Sequence, residues 1–474
     1  MTPAQSLTYA RSHQSQFLAD LLEFLRFPSV SAQPQHAPDV KRCASWLADH
    51  LRRVGLDDVA IIPTAGSPIV YAQWTQLPDR PTVLIYGHYD VQPADDADTW
   101  RSPPFDPTVR RGAVYARGAS DDKGQMFTHV KALQAHLEAN RSLPVNVKCI
   151  FEGEEEVGST HLASFFERNQ EALRSDVALM SDTQMLADRP AIVYALRGAL
   201  NLELEVQGPS RELHSGLFGG AIHNPIEALS EMIARLHTLD GRVAIPHFYD
   251  QVRLWSEKER VDMAHSGPSD EQILREAGGA FRWGERNYSL YERTTIRPTL
   301  TVNGISGGYH GPGTKAVIPS HATAKLSFRL VPDQDPLEIE RQFRRYIADI
   351  TPSTIRSIVR TNSYAQPVLT DRRHRAMRAA ALAYARGFGE MPVYVRSGGT
   401  IPVVGLLQEK FGIPTVLMGF ASPNDQRHGS DEKLNLDSYY KGIEVSIWFF
   451  SIIGKNLGVK ADLPYESSES TLSQ

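Results

Sequence analysis

His88 and Asp90 stand two residues apart, directly after a short apolar run at residues 83–86. Side chains at positions i and i+2 of an extended segment lie on the same face. A histidine that binds a metal ion through one ring nitrogen usually donates its other N–H group to a carboxylate. We therefore predict His88 as a metal ligand and Asp90 as the residue that orients it. The pair alone is equally typical of a strand end with a hydrogen-bonded histidine and no metal.

Asp121 and Asp122 lie in a glycine-flanked turn, just before a helix that the sequence predicts over residues 123–138. Acidic residues are common at helix N-termini as caps. Two adjacent aspartates in such a turn are also suited to a carboxylate that bridges two metal ions. Both roles stay open at this point.

Acidic residues crowd the end of the buried strand predicted at residues 145–151. They are Glu152, Glu154, Glu155 and Glu156. Carboxylates this close in sequence repel one another unless a cation or solvent relieves the repulsion. A solvated loop is the alternative, but the apolar strand that leads into it makes full exposure less favourable.

Two further predicted strands also end near potential ligands. Residues 177–180 lead to Asp182, and residues 414–419 lead to His428. In open α/β sheets, sites form outside the carboxyl ends of the strands. Nitrogen and carboxylate ligands without thiolate suit Zn²⁺, and by the same chemistry Mn²⁺ or Co²⁺. The sequence therefore predicts a metal site at one edge of a sheet.

The elements around these residues alternate between strands and helices, which predicts an α/β sheet with helices on both faces. From residue 198 the pattern changes, because residues 200–206 alternate strictly between apolar and polar side chains, as a half-exposed strand does. We therefore predict a discontinuous catalytic domain of residues 1–197 and 382–474. Residues 198–381 are predicted to form an inserted α+β domain. Residues 250–293 are charged and irregular, and their pattern predicts little.

Composition excludes several classes of protein. The chain has 474 residues, more than one ordinary hydrophobic core, and a formal net charge of −5 argues against nucleic-acid binding. No stretch approaches the roughly 18 apolar residues that a membrane span needs, and the N-terminus lacks a secretory pattern. The two cysteines, Cys43 and Cys149, suit a reducing compartment, so we expect a cytoplasmic protein. Residues 466–474 are predicted to be a disordered tail.

In their types and order, these motifs resemble the two-zinc metallopeptidases that include carnosinase, cytosolic nonspecific dipeptidase, aminoacylase and succinyl-diaminopimelate desuccinylase. The matching segments are Gly-His88-Tyr-Asp90-Val, Gly-Ala-Ser-Asp121-Asp122-Lys-Gly, Glu-Gly-Glu-Glu155-Glu156-Val-Gly-Ser, Ser-Asp182 and His428-Gly-Ser-Asp-Glu. The chain is similar most of all to the dipeptidase branch. The resemblance implies a doubly wound α/β zinc-peptidase catalytic domain with an inserted α+β lid and dimerisation domain.

The resemblance also implies a role for each motif residue. The implied ligands of two zinc ions are His88 and Asp182 on one ion, Glu156 and His428 on the other, and Asp121 as a bridge. A cis peptide bond is implied after Asp121. Glu155 would be the general base, and Asp90 would be the partner of His88.

Four residues of the inserted segment and the late turn are implied in substrate binding. In dipeptidase relatives the histidine that matches His214 reaches the active site of the partner subunit, so a homodimer is implied, with His214 donating to the oxyanion across the interface. From the sequence alone, a surface turn is the better interpretation of His214. Arg329 resembles the residue that binds the substrate carboxylate, although strand arginines mostly face solvent otherwise. Gly399 and Thr400 would add donors to that carboxylate.

The chain departs from the dipeptidase pattern at two positions around the substrate pocket. Ala316 stands where carnosinase-like dipeptidases carry threonine, and Ser397 stands where they often carry an acidic residue. We expect metal-dependent hydrolysis of dipeptides or short peptides with a free C-terminal carboxylate. The alternative is an N-acyl-amino-acid deacylase of the same fold. A binding relative without catalysis is disfavoured, because Glu155 is retained beside all five implied ligands.

Overall fold

The structure is a computed structural model that describes residues 3–94, 99–187, 189–279 and 281–456. The predicted disordered tail lies outside the described residues. In these ranges, no helix combines the length and the apolar character that crossing a membrane requires.

Strands and helices alternate along much of the chain. In the described residues the strands are β1 (Asp57–Ile62), β2 (Ile69–Trp74), β3 (Thr82–His88), β4 (Thr108–Arg110), β5 (Ala113–Tyr115), β6 (Asn146–Glu152), β7 (Val177–Met180), β8 (Ala191–Leu196), β9 (Gly198–Gln207), β10 (Leu213–His214), β11 (Thr299–Gly307), β12 (Val317–Ile318), β13 (His321–Leu330), β14 (Arg356–Ala365), β15 (Val368–Leu369), β16 (Val393–Ser397), β17 (Thr415–Met418) and β18 (Lys433–Asn435). The helices are α1 (Ala4–Ser12), α2 (Gln14–Leu25), α3 (Ala37–Val54), α4 (Lys123–Asn140), α5 (Leu162–Arg168), α6 (Gln170–Leu173), α7 (Ser215–Phe218), α8 (Pro225–Ala234), α9 (Glu257–Ser266), α10 (Asp270–Glu276), α11 (Leu290–Thr295), α12 (Pro336–Ile350), α13 (Arg375–Phe388), α14 (Pro402–Phe411) and α15 (Leu436–Asn456). The four strands predicted next to ligands begin and end within two residues of their predicted bounds.

The main sheet has nine strands in the order β1-β2-β6-β3-β7-β17-β8-β15, and β16 also pairs with β8. Strands β3, β6, β7 and β17 are parallel to one another, so their carboxyl ends lie at the same edge. Val83 and Ile85 pack into the core formed with α4 and α15, while Leu84 and Tyr86 face the core formed with α5 and α14. Helices therefore cover both faces, as predicted, which explains why residues 83–86 of β3 form a continuous apolar run instead of alternating with polar residues.

Helix α4 is the central helix of this unit, and it begins directly after Asp121 and Asp122. Most of its side chains are buried, because it packs against α1, α2, α3, α15 and the sheet. Lys123 is fully buried and donates from Nζ to the carbonyl oxygens of Phe24 at 3.3 Å and Phe27 at 2.8 Å. These contacts fix the start of α4, and with it the turn that carries both aspartates.

The segment after β8 forms a second, antiparallel sheet of four strands in the order β11-β13-β9-β14. Helices α8 and α12 cover one face, and their Leu229 and Phe343 pack into its core. Strand β9 alternates between buried and partly exposed residues, because its other face is not covered by these helices. The predicted change of sheet type is confirmed.

The return to the main sheet comes earlier than the sequence predicted. The four-stranded sheet ends at Ala365, and β15 already pairs with β8 of the main sheet. Ala376 and Tyr384 of α13 are buried in the core that contains α4 and α15. Residues 368–381 therefore pack with the main sheet, and the predicted boundary at residue 381 is too late. Strand β15 has two residues, too few to show a periodic pattern. We propose an inserted unit of about residues 198–366.

The described part of residues 250–293, for which the sequence predicted little, includes α9, α10 and the start of α11. Met263 and Tyr291 form a small core with Ile296. Ser256 and Ser289 each form a capping box with the glutamate three residues later. This Ser-x-x-Glu spacing was present in the sequence and could have located two of the helix starts.

Candidate metal centre and active site

Asp121 is shared by two clusters of potential metal ligands. In the first, His88 Nε2 lies 3.3 Å from Asp121 Oδ1 and 3.9 Å from Asp182 Oδ2. In the second, His428 Nε2 lies 2.9 Å from Asp121 Oδ2 and 3.5 Å from Glu156 Oε2. The donor atoms of each cluster lie within 4.8 Å of one another. The structure thus brings together the five predicted ligands, and the peptide bond after Asp121 is cis.

The donor atoms of these clusters fit a pair of divalent metal ions. His88 Nε2 and Glu156 Oε1 are buried, and neither has a hydrogen-bond partner within the described residues. Buried polar atoms without a partner are rare in native proteins and need an explanation. Both cysteines are buried elsewhere as free thiols, which leaves imidazole and carboxylate as the donor groups. Such donors suit Zn²⁺, Mn²⁺ or Co²⁺.

Two other acids near the clusters are placed differently. Glu154 accepts a hydrogen bond from the Ser67 N–H group at 2.7 Å and pairs with His161 at 2.8 Å, so it joins neither cluster. Asp122 is buried, and its Oδ1 has no partner among the described residues. Burial raises the pKa of Asp122 well above its usual value, an effect that the charge of Asp182 increases.

Burial raises the pKa values of the glutamates in this region. The pKa of Glu156 rises to about 7, and that of Glu155 lies well above its usual value. Asp121 behaves in the opposite way. Burial opposes its ionisation, but the neighbouring imidazoles of His428 and His88 outweigh burial and hold its pKa well below the usual range. Negative charge is therefore most stable on the carboxylate that the two clusters share.

Asp90 positions both His88 and the loop of Glu155 and Glu156. The Nδ1 atom of His88 lies 3.1 Å from the backbone carbonyl oxygen of Asp90 and 3.4 Å from its Oδ1. The Asp90 carboxylate accepts hydrogen bonds from the backbone N–H groups of Glu155 at 3.2 Å and Glu156 at 3.1 Å. The sequence predicted the first contact, but it gave no sign of the second.

Arg427 is a cation within the ligand clusters that the sequence analysis missed. Its Nε donates to Asp121 Oδ2 at 3.1 Å, and its Nη2 donates to Asp182 Oδ1. Burial opposes the charge of Arg427, but the carboxylates of Asp182 and Asp121 outweigh it and raise the pKa of Arg427. The residue directly precedes His428, and that adjacency was the available signal.

Arg117 and Glu432 form a buried ion pair beside the clusters, with 2.8 Å between Arg117 Nη1 and Glu432 Oε2. Arg117 Nη2 also donates to the backbone carbonyl oxygen of His428 at 3.1 Å. The sequence predicted no role for either residue, because the contact joins distant parts of the chain.

A cavity of about 620 Å³ opens from the clusters. Its metal end is lined by Asp121, Glu155, Glu156, Asp182, Arg427 and His428. Pro268 and Ile273 from the α9–α10 region and Tyr291 of α11 form part of another wall. Tyr291 is fixed to β16, because its hydroxyl accepts from the Arg396 N–H group at 2.7 Å and donates to the Arg396 carbonyl oxygen at 3.0 Å. A segment that the sequence left unassigned therefore shapes the cavity.

Three of the four predicted substrate-binding residues lie at or next to this cavity. Gly399 and Thr400 line it, and Arg329 donates from Nη1 to Thr400 Oγ1 at 2.6 Å. His214 is exposed and does not line the cavity of its own chain; its Nδ1 accepts from the Gly216 N–H group at 3.0 Å. Ser397, one of the two departures from the dipeptidase pattern, also lines the cavity.

Residues 84–448 match the family model of Peptidase family M20/M25/M40. The chain belongs to this peptidase family. It is 32% identical over 456 residues to the Cys-Gly metallodipeptidase dug1 of Schizosaccharomyces pombe, covering 91% of this chain and 94% of the relative. It is 31% identical over 464 residues to the human Beta-Ala-His dipeptidase, covering 93% of this chain and 91% of the relative.

A solved M20 family metallo-carboxypeptidase from Sulfolobus solfataricus has the same fold as this M20/M25/M40 peptidase. The TM-score is 0.84 at 32% sequence identity, and the match covers 93% of this chain and 99% of the other. The resemblance to the dipeptidase branch that the sequence motifs indicated is confirmed by the metallodipeptidase relatives. The roles of individual residues stay predictions.

Proposed function

We propose that this chain is a two-zinc dipeptidase that hydrolyses the peptide bond of dipeptides and short peptides with a free C-terminal carboxylate. The observation that carries the proposal is Asp121, which is shared by two ligand clusters at a cavity that Glu155 also lines. Relatives over nearly the whole chain are named as Cys-Gly and Beta-Ala-His dipeptidases. These relatives, together with Arg329 beside the cavity wall, support this substrate class.

The metal-binding part of the proposal assigns five residues to two zinc ions. His88 and Asp182 would hold one ion, Glu156 and His428 the other, and Asp121 would contact both. Bound there, two zinc ions would polarise the scissile carbonyl group and make a water molecule more acidic. Two of the donor atoms, His88 Nε2 and Glu156 Oε1, are buried and have no hydrogen-bond partner among the described residues.

Glu155 is the proposed general base. It would accept a proton from water as the new C–O bond forms, and it would return the proton to the leaving amine nitrogen as the C–N bond breaks. Glu155 lines the cavity together with the proposed ligands Asp121, Glu156 and Asp182. The hydrogen bond from its N–H group to Asp90 holds its backbone in place.

Substrate orientation is proposed to depend on the carboxylate of the C-terminal residue. Arg329 has no carboxylate partner among the described residues, and its Nη1 bonds to the hydroxyl of Thr400 at the cavity wall. Burial lowers the pKa of Arg329, so a substrate carboxylate would relieve an unfavourable half-buried charge. Gly399 would add a backbone N–H group.

We also propose a homodimer in which His214 reaches the cavity of the partner subunit and donates to the oxyanion. Within one chain His214 is exposed, and next to it Leu217 is 77% exposed and Phe218 is 39% exposed. Exposed apolar side chains beside a polar residue favour a protein contact at this surface. No nucleic-acid or membrane partner is proposed. The free, buried thiols of Cys43 and Cys149 favour the cytoplasm as the compartment.

The test uses protein reconstituted with zinc or manganese and a panel of dipeptides beside matched N-acetyl amino acids, with products measured by mass spectrometry. We expect cleavage of free dipeptides, and we expect Glu155→Gln to retain both metal ions and lose turnover by about two orders of magnitude or more. Preferential cleavage of the acylated compounds would instead identify a deacylase. Cleavage of none of them would overturn the proposal.

The dimer has its own test. Light scattering should give twice the mass of the chain. A mixture of the inactive variants Glu155→Gln and His214→Ala should then regain activity, because one heterodimer site contains both wild-type residues. A dimer without regained activity would contradict the role of His214 across the interface.

A further inference from the structure

Arg427 places a fixed positive charge at the metal end of the cavity. Two of its nitrogen atoms are held, with Nε on Asp121 Oδ2 at 3.1 Å and Nη2 on Asp182 Oδ1. The side chain is 20% exposed and lines the cavity. Because two carboxylates fix the guanidinium from one side, its position and orientation are set before a substrate binds.

The Nη1 atom of Arg427 is not used by these contacts. A guanidinium carries five N–H donors, and within the described residues Nη1 donates to no protein group. Nη1 is also absent from the buried atoms that lack a partner, so it is accessible to solvent, and Arg427 lines the cavity. It is therefore a free donor beside the residues proposed to hold the metal ions.

The other cationic groups near the cavity have different contacts in one chain. The Arg396 guanidinium donates from Nε to the Tyr194 hydroxyl at 2.7 Å and stacks 3.8 Å from the centre of the Trp255 ring. Arg329 bonds to Thr400, and His214 lies outside the cavity of its own chain. Within the described part of one chain, Arg427 is the arginine that contacts the side chains of predicted metal ligands, whereas Arg117 contacts only the backbone of His428.

We propose that Arg427 is a catalytic residue that donates from Nη1 to the scissile carbonyl oxygen as negative charge develops on it. The inference rests on the peptide hydrolysis proposed above. A preorganised donor aimed at developing charge stabilises the transition state more than the substrate, because it needs no reorganisation during the reaction. Loss of one such donor typically lowers kcat by about 10²–10³-fold.

The experiment separates transition-state binding from substrate and metal binding. The probe is a phosphinic pseudodipeptide, in which a tetrahedral phosphinate replaces the peptide bond, and its affinity for the zinc-loaded protein is measured by calorimetry. Affinity for the matching dipeptide is measured in the Glu155→Gln background, and metal content is measured by mass spectrometry. The variants are Arg427→Gln, Arg427→Lys and the control Arg110→Gln. Arg110 pairs with Asp431 at 2.8 Å and does not line the cavity.

We expect Arg427→Gln to keep two metal ions and to bind the dipeptide within about threefold of the parent protein. It should lose phosphinate affinity and kcat together, by about 100-fold. Arg427→Lys should recover part of the loss, and Arg110→Gln should match wild type.

Three results with Arg427→Gln would overturn the inference. They are an unchanged affinity for the phosphinate, the loss of a metal ion, or equal losses of affinity for the phosphinate and for the dipeptide. Absence of phosphinate binding to the wild type would overturn it as well. If the wild type binds the phosphinate but cleaves no peptide, the proposed function fails, while the comparison of affinities still decides the role of Arg427.

Discussion

Glu432 accepts a hydrogen bond from the backbone N–H group of Asp121 at 3.1 Å, although 311 residues separate the two in the chain. The same carboxylate accepts from the N–H groups of Ser120 at 2.9 Å and Gly118 at 3.0 Å. Its partner Arg117 donates to the backbone carbonyl oxygen of His428. One buried ion pair therefore fixes the backbone of the shared ligand and of a second ligand relative to each other.

Glu432→Gln should weaken metal binding without removing any ligand. The amide keeps the size of the side chain but loses the charge that attracts three backbone N–H groups and Arg117. We expect metal affinity to fall by about 10–100-fold, as for other residues that orient metal ligands. Equilibrium dialysis with metal analysis measures the loss at a temperature where circular dichroism shows folded protein.

The control for that loss is Glu292→Gln. Glu292 is also a buried glutamate that pairs with an arginine, Arg260, at 2.5 Å, but it contacts none of the predicted ligands. Both variants should reduce the free energy of unfolding, because each leaves a cation without its partner. Equal metal affinities in the two variants would show that Glu432 contributes only to stability.

Asp90→Asn should lower kcat more than it raises KM. One of the two oxygen atoms that accept the Glu155 and Glu156 N–H groups becomes an NH₂ group, which cannot accept a hydrogen bond. The loop would then shift the proposed base relative to the substrate, and we expect kcat to fall by about 10²-fold. Steady-state kinetics with zinc-loaded protein measures this. Asp437→Asn, at an exposed aspartate, is the control. A change confined to KM would argue that Asp90 does not position Glu155.

The ligand clusters could be predicted from the sequence because their signal is local. Each ligand follows or precedes a recognisable element, and parallel strands bring their carboxyl ends to one edge regardless of the distance between them in the chain. The roles of Glu432 and Arg427 depend on contacts with Asp121 across more than 300 residues, and no local pattern encodes those contacts. The cavity wall from Tyr291 was missed for the same reason, although its helix cap was visible.

The buried histidines His129 and His136 should make the protein less stable as pH falls. Burial lowers the pKa of His129 to about 3 and that of His136 to about 4. The unfolded chain binds protons at these residues near pH 6.5, and the folded chain does not, so stability falls as pH drops below 6.5. The loss levels off near pH 4 for His136 and near pH 3 for His129. At pH 5 each residue lowers the free energy of unfolding by about 2 kcal/mol.

This pH effect is tested by the difference between wild type and His129→Asn in urea unfolding at pH 7 and pH 5. Burial raises the pKa of carboxyl groups such as Glu152, to about 7, and these groups act in the opposite direction, so only the difference isolates His129. The variant should have a lower free energy of unfolding than wild type, and this difference should shrink by about 2 kcal/mol between pH 7 and pH 5. The exposed His265 provides the control His265→Asn. If the difference in the free energy of unfolding stays constant with pH, His129 accepts protons equally in the folded and unfolded chains.

Arg329→Gln should slow the hydrolysis of dipeptides with a free C-terminal carboxylate. It should leave the hydrolysis of the corresponding C-terminal amides unchanged. Arg329 lies on β13 of the inserted sheet, and its Nη1 reaches Thr400 on the catalytic side of the cavity, so the contact joins the two units at the proposed carboxylate position. A charge-assisted pair with a half-buried guanidinium is worth about 1.5–3 kcal/mol, which corresponds to about a 10–100-fold increase in KM for the free acid. Kinetics on matched acid and amide pairs measure the difference. Arg360→Gln removes an exposed arginine of β14 that pairs with Glu203 at 3.3 Å, and it should leave both substrates unaffected. If hydrolysis of the acid and of the amide falls equally, Arg329 stabilises the contact with Thr400 and does not recognise the substrate carboxylate.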